Sequence, residues 1–230
     1  MTRAEKFLLL HSELETQLRR KLRVPKNLPY FEVLNIAEAG DVTIRRNRDF
    51  LHSLRDLRNI LSHSSYGPGH IAEPSQEALE KFEAIVNRIA RPPLVRDVAS
   101  KSVKIFPETD TLLAALTDMK VNDYSQIVIR RGGRLGLVTP EGITHWILQE
   151  SDSIGLLEPA TASLGDVGAH EPKTSCRFMK PDQTVDEARA AFLKGSSAPS
   201  TRHYAILVTH TAKPTEEPLG IVTPWDVFDS

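Results

Sequence analysis

One cysteine, Cys176, stands in a chain of 230 residues. That excludes an internal disulfide framework and any cysteine-rich zinc site. No group of His, Asp and Glu has metal-ligand spacing either, so no metal centre is expected. Long apolar runs are also missing: nothing approaches the roughly 20 residues that span a bilayer. The run Phe7-Leu8-Leu9-Leu10 is interrupted at His11 and Glu13. It is too short and too polar for a signal peptide, and a cytoplasmic protein with no membrane partner is the expectation. Charge of one sign is lacking too, with a net charge of −1 and a pI of about 6.7. The front of the chain is mildly basic and the back mildly acidic, and neither field alone marks a nucleic-acid binder. What remains is the composition of an ordinary globular protein, long enough for two domains with a core each.

Residues 1–91 read as helices. Phe7, Leu10, Leu14, Leu18 and Leu22 recur at helical spacing from Ala4 to Leu22, and Thr2 with Glu5 makes a capping-box pattern. The run Arg19-Arg20-Lys21-Leu22-Arg23 suits the end of that helix. Pro29 opens a second helix, Tyr30 to Ala39, closed by Gly40. A long third helix is predicted from Val42 to Ser65, with Phe50, Leu54, Leu57 and Leu61 inward. The stretch Ser64 to Gly69 breaks it, and Ser75 caps a fourth helix through Ile89. Together these predict a four-helix bundle. Arg91-Pro92-Pro93 cannot continue a helix and starts a linker, residues 92–94.

The texture then changes to short strands between helices, and it repeats. Val95-Arg96-Asp97-Val98 returns as Leu164-Gly165-Asp166-Val167, and Gly136-Leu137-Val138-Thr139-Pro140 as Gly220-Ile221-Val222-Thr223-Pro224. Arg131-Gly132-Gly133-Arg134 reads as a hairpin turn. Each copy is a β-α-β-β-α unit, placed at 95–158 and 159–230, and such copies pair through their sheets. The expected fold class is therefore α+β and multidomain: an N-terminal all-α four-helix bundle (1–91) followed by two β-α-β-β-α repeats.

The repeats resemble a tandem pair of CBS domains, named for cystathionine β-synthase and called together a Bateman module. That family's binding signature is Gly, two apolar residues, Thr or Ser, two residues, then Asp or Asn. Gly220-Ile221-Val222-Thr223-Pro224-Trp225-Asp226 matches it fully. The resemblance implies an adenine nucleotide, AMP or ATP, as regulatory ligand at Gly220, Thr223 and Asp226, with the Asp carboxylate accepting ribose hydroxyls. Arg202 and His203 are candidate phosphate ligands. Arg130, Arg131 and Arg134 read first as a solvated hairpin tip. The first copy departs from the signature: Gly142 stands where the carboxylate belongs, which predicts one competent site and one weak or empty one.

In the helical half, Arg58-Asn59 followed by His63 near the end of the third helix resembles the HEPN superfamily (higher eukaryotes and prokaryotes nucleotide-binding). Its signature is an Arg, four to six residues, then a His. Active members are metal-independent ribonucleases that work as dimers. The resemblance implies His63 as general acid or base, Arg58 as phosphate clamp and Asn59 as orienting group, with no cofactor for catalysis. RNA attacked by its own 2′-hydroxyl would leave a 2′,3′-cyclic phosphate. Arg45, Arg46, Arg48 and Arg55 would guide the RNA backbone. The expected protein is a homodimeric, nucleotide-regulated endoribonuclease acting on RNA, with tRNA among the candidates. The alternative is a non-catalytic adenine-nucleotide sensor whose bundle serves dimerisation or partner docking.

Overall fold

Helix 1 begins where its caps dictate. The Thr2 hydroxyl accepts from the Glu5 N–H at 3.1 Å, and the Glu5 carboxylate accepts from the Thr2 N–H at 2.7 Å. The helix, α1, runs Arg3–Leu22 and ends on Arg23 in the left-handed region, φ 54°. The structure, a computed structural model, describes residues 1–63, 72–151, 160–195 and 202–228, and of His63 and Ser151 the backbone only. It divides into two units, Met1–Pro92 and Pro93–Ser230.

In the first unit α2 (Tyr30–Gly40) follows Pro29, and Asp41 caps α3 (Val42–Arg46) by accepting from the N–H groups of Thr43 and Ile44. The predicted single helix Val42–Ser65 is two helices: α4 spans Arg48–His63. Asn47 makes the break. Its amide side chain donates to the Thr43 carbonyl at 2.9 Å, its own N–H donates to Ile44, and it leaves helical geometry at φ −112°. A local side-chain bond here competes with the helical ladder. The predicted break at Ser64–Gly69 lies outside the described residues. Ser75 caps α5 (Gln76–Ala90) through the Ala78 N–H. The described part of this unit thus holds five helices, not four.

Its core is a single cluster built on Phe7, Leu14, Leu18, Val33, Ile44, Leu54, Leu61 and Phe82. Phe7 and Phe82 join α1 to α5, ring centroids 5.6 Å apart. Burying each such ring contributes about 2–3 kcal/mol. The ion pairs Arg3–Glu73 and Lys6–Glu83 lie over the same seam but are exposed and add little.

The second unit holds two three-stranded sheets. The first joins β1 (Ile105–Pro107), β2 (Ile127–Arg131) and β3 (Arg134–Val138), and the second joins β4 (Cys176–Met179), β5 (Ala205–Val208) and β6 (Gly220–Val222). In each, the first pair is parallel and the second antiparallel. The β2–β3 turn places Gly132 and Gly133 at φ 54° and 74°, the left-handed pair that a two-residue hairpin requires. The helices α7 (Leu112–Asn122) and α8 (Pro140–Ser151) belong to the first repeat, and α10 (Val185–Gly195) and α11 (Pro224–Phe228) to the second.

Strand alternation divides the core. Ile206 and Val208 face their own helices, while Ala205 and Leu207 meet Val128, Leu135 and Leu137 between the sheets. β5 is covered on both sides and is apolar throughout. The short helix that opens each repeat, α6 (Val95–Val98) or α9 (Leu164–Ala169), packs on the opposite repeat. Val95 sits in the core of the second sheet, and Leu164 and Val167 in that of the first. Backbone bonds hold the exchange: the Val95 N–H donates to Gln183 and the Leu164 N–H to Asp110, both at 2.8 Å. Among the described residues, no helix is long and apolar enough to cross a membrane.

Candidate functional site

The strand β6 ends at Val222 and α11 starts at Pro224, so Thr223 sits at the junction with Asp226 three residues on. One oxygen of Asp226 accepts from both the Thr223 N–H, at 2.6 Å, and the Thr223 hydroxyl, at 2.8 Å. Both residues line a cleft of about 700 Å³ together with Lys104, Asp118, Tyr124 and Trp225. Trp225 is 76% exposed and Tyr124 53% exposed, two aromatic faces open to a ligand. The Lys104 ammonium is committed to Asp118 at 2.5 Å and lies over the Phe106 ring. The other Asp118 oxygen is buried without a partner among the described residues. The described lining of the cleft thus holds one cation, Lys104, and three carboxylates, Asp118, Asp123 and Asp226.

Gly220 was expected to touch ligand, but it does not line this cleft. Its place is structural. A Cβ there would lie 2.9 Å from the Ala99 Cβ and 3.0 Å from the Ser100 carbonyl. Ser100 and Ile221 exchange two backbone bonds across that contact, at 2.9 and 3.0 Å.

The first repeat reproduces the arrangement with a carboxylate from elsewhere. Glu171 accepts from the Thr139 N–H at 3.1 Å through one oxygen and from the Thr139 hydroxyl at 2.7 Å through the other, where Asp226 uses a single oxygen for both Thr223 bonds. A Cβ at Gly142 would stand 1.8 Å from the Glu171 carboxylate. The glycine at the signature position is therefore the space that Glu171 fills. Burial raises the Glu171 pKa and the neighbouring Glu141 raises it further, while its bonds to Thr139 and Ser175 oppose them.

Arg202 and His203, the candidate phosphate ligands, do not line the Thr223 cleft; Arg202 stands over Tyr204, whose hydroxyl reaches Glu141 beside the Thr139/Glu171 pair. The Tyr204 hydroxyl donates to Glu141 at 3.1 Å, and the Arg202 guanidinium lies 5.0 Å over the Tyr204 ring. Burial, the Glu141 bond and the Glu171 charge raise the Tyr204 pKa against the pull of Arg202. The His203 Nδ1 contacts the Thr174 carbonyl. The register of β5 explains the placement: the chain enters the strand at Ala205, opposite Cys176, five residues after Glu171.

In the helical unit, Arg58 and Asn59 line a cleft of about 430 Å³ between α1, α2 and α4. Arg55 lies there too, its guanidinium 5.1 Å over Phe31 and bonded to Asp56. The Arg58 guanidinium reaches the Asn59 side-chain oxygen only at 3.5 Å. The His63 backbone closes α4, and its side chain lies outside the described residues. Arg45 caps α2 through the Glu38 and Ala39 carbonyls, Arg48 pairs with Glu38 at 3.1 Å, and Arg46 is exposed. None of these three lines the cleft.

The cleft holds residues that sequence reasoning passed over. Arg19, read as helix-end charge, bonds Glu15 at 2.5 Å and donates to the Pro25 and Leu28 carbonyls, fastening the α1–α2 loop. His11 is 3% exposed, with its ring 4.5 Å from that of Tyr30. Burial and then the Arg58 charge lower its pKa to about 4, against an upward pull from Glu15. Its signal was present: His11 is four residues after Phe7 and three before Leu14, on the buried face. Among the described residues no group of three or more His, Cys, Asp or Glu side chains could hold a metal ion.

Residues 95–149 match the family model of the CBS domain. No curated protein matches the chain. Solved structures with a related arrangement include Hypoxic Response Protein I with two coordinated zinc ions, 21% identical, covering 58% of this chain and 95% of that one, TM-score 0.41. A CBS-domain containing protein from Agrobacterium tumefaciens is 12% identical over 60% of this chain and 95% of its own, TM-score 0.45. A CBS domain-containing protein of unknown function from Bacillus anthracis is 16% identical over 60% and 91%, TM-score 0.42.

Proposed function

We propose that this chain is an adenine-nucleotide-sensing regulatory protein. One observation carries the reading: a carboxylate bonded to the N–H and hydroxyl of a threonine at a strand end occurs twice, at Thr223/Asp226 and at Thr139/Glu171. Asp226 keeps its second oxygen for ribose hydroxyls, whereas Glu171 meets Thr139 with both oxygens and offers only their remaining lone pairs. Glu171 supplies at the first repeat what Gly142 lacks, so two sites are expected. In the Thr223 cleft, Tyr124 and Trp225 offer faces for the base. With Lys104 already paired to Asp118, that cleft suits an adenosyl ligand of low charge, AMP before ATP. Calorimetry with adenosine, AMP and ATP tests this, and tighter binding of ATP than of AMP overturns the charge argument.

The helical unit is the output. A homodimer would let a ligand in the repeats alter how two outputs meet. A second reading gives that output a chemistry, metal-independent RNA cleavage. It is favoured by Arg58 and Asn59 sharing one cationic cleft, with the backbone of His63 one turn beyond Asn59. Arg58 would offset the charge that builds on phosphate, and His63 would take the proton of the 2′-hydroxyl. Incubation of the protein with RNA in EDTA decides. Cleavage to 2′,3′-cyclic phosphate ends, lost in His63→Ala, supports the reading, and equal cleavage by that variant removes His63 from the chemistry.

A further inference from the structure

Two carboxylates, Glu171 and Glu141, crowd the place where the first repeat lacks its signature acid. Glu171 fills the space that a Cβ at Gly142 would need, 1.8 Å away. Thr139 is fully buried, and its N–H and hydroxyl engage both Glu171 oxygens. The buried Ser175 side chain adds a further bond to the same group. Each bond takes a lone pair, and few remain for a ligand. Glu141 stands one residue before Gly142, at the start of α8, and acts on Glu171 through its charge. The Tyr204 hydroxyl donates to Glu141 at 3.1 Å and keeps it there. Arg202, over the Tyr204 ring, is exposed and makes no ion pair with either carboxylate among the described residues. Burial pushes the Cys176 thiol, also beside Glu171, up to about 12, so it stays uncharged. The Nδ1 atoms of His170 and His203 meet the backbone carbonyls of Asp166 and Thr174.

We infer that the first-repeat site is proton-gated: Glu171 holds an adenosyl ligand only while ionised, and Glu141, tethered by Tyr204, sets the acidity at which it lets go. The inference rests on the function proposed above and gives one of its two sites a regulation. An ionised carboxylate only accepts, whereas a protonated one turns one oxygen into a donor. With both oxygens already bonded to Thr139, a proton from solvent occupies a place that a ribose hydroxyl needs. Burial and then the like charge of Glu141 favour the protonated form, against the bonds from Thr139 and Ser175. Glu171 therefore takes its proton at milder acidity than an exposed glutamate does. Above that midpoint the affinity is level. Below it the affinity falls by about tenfold per pH unit, because ligand and proton compete for one carboxylate.

The test is titration calorimetry with adenosine on the full chain carrying Asp226→Ala, which leaves the first-repeat site. Adenosine stays uncharged between about pH 5 and about pH 8, so a change of affinity over that range belongs to the protein. The affinity is expected to be level at the alkaline end and to fall by about tenfold per pH unit at the acidic end. Glu141→Gln keeps an acceptor for Tyr204 and removes the charge, and it should move the fall to lower pH. Carboxyl-carbon NMR of the chain with Asp226 intact, the Glu171 signal assigned through Glu171→Gln, reads the same midpoint without ligand. That midpoint should lie above the usual glutamate value and drop in Glu141→Gln. An affinity unchanged across the range overturns the inference and leaves the proposed function standing. A Glu171 midpoint at the usual value, or one that Glu141→Gln does not move, overturns it equally. No adenosine binding by the native chain at any pH overturns the function and the inference with it.

Discussion

Glu171 and Gly142 show how one residue's absence specifies another. The carboxylate that the signature places at position 142 arrives instead from a residue 32 positions from Thr139. Gly142→Asp should therefore set two carboxylates in one half-buried space and displace Glu171, with a loss of stability of about 1–3 kcal/mol. In Glu171→Ala the same Gly142→Asp should restore nucleotide binding, because the carboxylate then comes from the signature position. Calorimetry and urea unfolding of the single and double variants check this, and a double variant as poor as Glu171→Ala contradicts it. His11 gives a pH prediction. Its pKa is about 6.5 unfolded and about 4 folded, so the unfolded chain binds the extra proton between those values. The stabilisation from keeping it neutral is present above pH about 6.5 and is lost as pH falls toward about 4, up to about 3 kcal/mol. Urea midpoints across that window should fall steeply in the native chain and less steeply in His11→Gln. Equal slopes would place the titration elsewhere.

At the scale of elements, the sequence was most legible where local chemistry decides. Thr2 with Glu5 starts α1, Ser75 starts α5, and Gly132-Gly133 turns the hairpin, each by bonds within a few residues. It was least legible where a side chain acts at a distance. Nothing in the periodicity of Val42 to Ser65 shows that Asn47 bonds back to Thr43 and divides the helix. Nothing near Arg19 shows that its guanidinium ends on Leu28. Glu171 could not be paired with Thr139 without the fold, and the approach of Arg202 to the Tyr204 ring is likewise set by the fold. Arg19 carries a prediction at this scale. Arg19→Ala leaves Glu15 and two loop carbonyls without their donor, and should cost about 2–3 kcal/mol in urea unfolding. Arg19→Lys should recover little, since one ammonium does not span the three acceptors. Full recovery by lysine would show that charge alone matters there.

The whole molecule is two units, and within the second the repeats exchange their first helices. Because Val95 lies in the core of the second sheet and Leu164 in that of the first, neither repeat has a complete core of its own. The two repeats should therefore unfold as one. The chain carries two tryptophans, Trp146 in the first repeat and Trp225 in the second, so single-tryptophan variants report each separately. Coincident urea transitions are expected, and Leu164→Ala should shift both by about 2–4 kcal/mol. Separate midpoints would mean that the exchanged helices are not coupling the repeats. Under the proposed function, a ligand at either threonine would then act on one cooperative body.

The central claim is that two threonine–carboxylate pairs hold adenosyl ligands, and titration calorimetry of the intact chain with adenosine tests it most directly. The account predicts two sites per chain, one remaining in Asp226→Ala, one remaining in Glu171→Ala, and none in the double variant. Unchanged binding in both single variants, or no binding by the native chain, would contradict it.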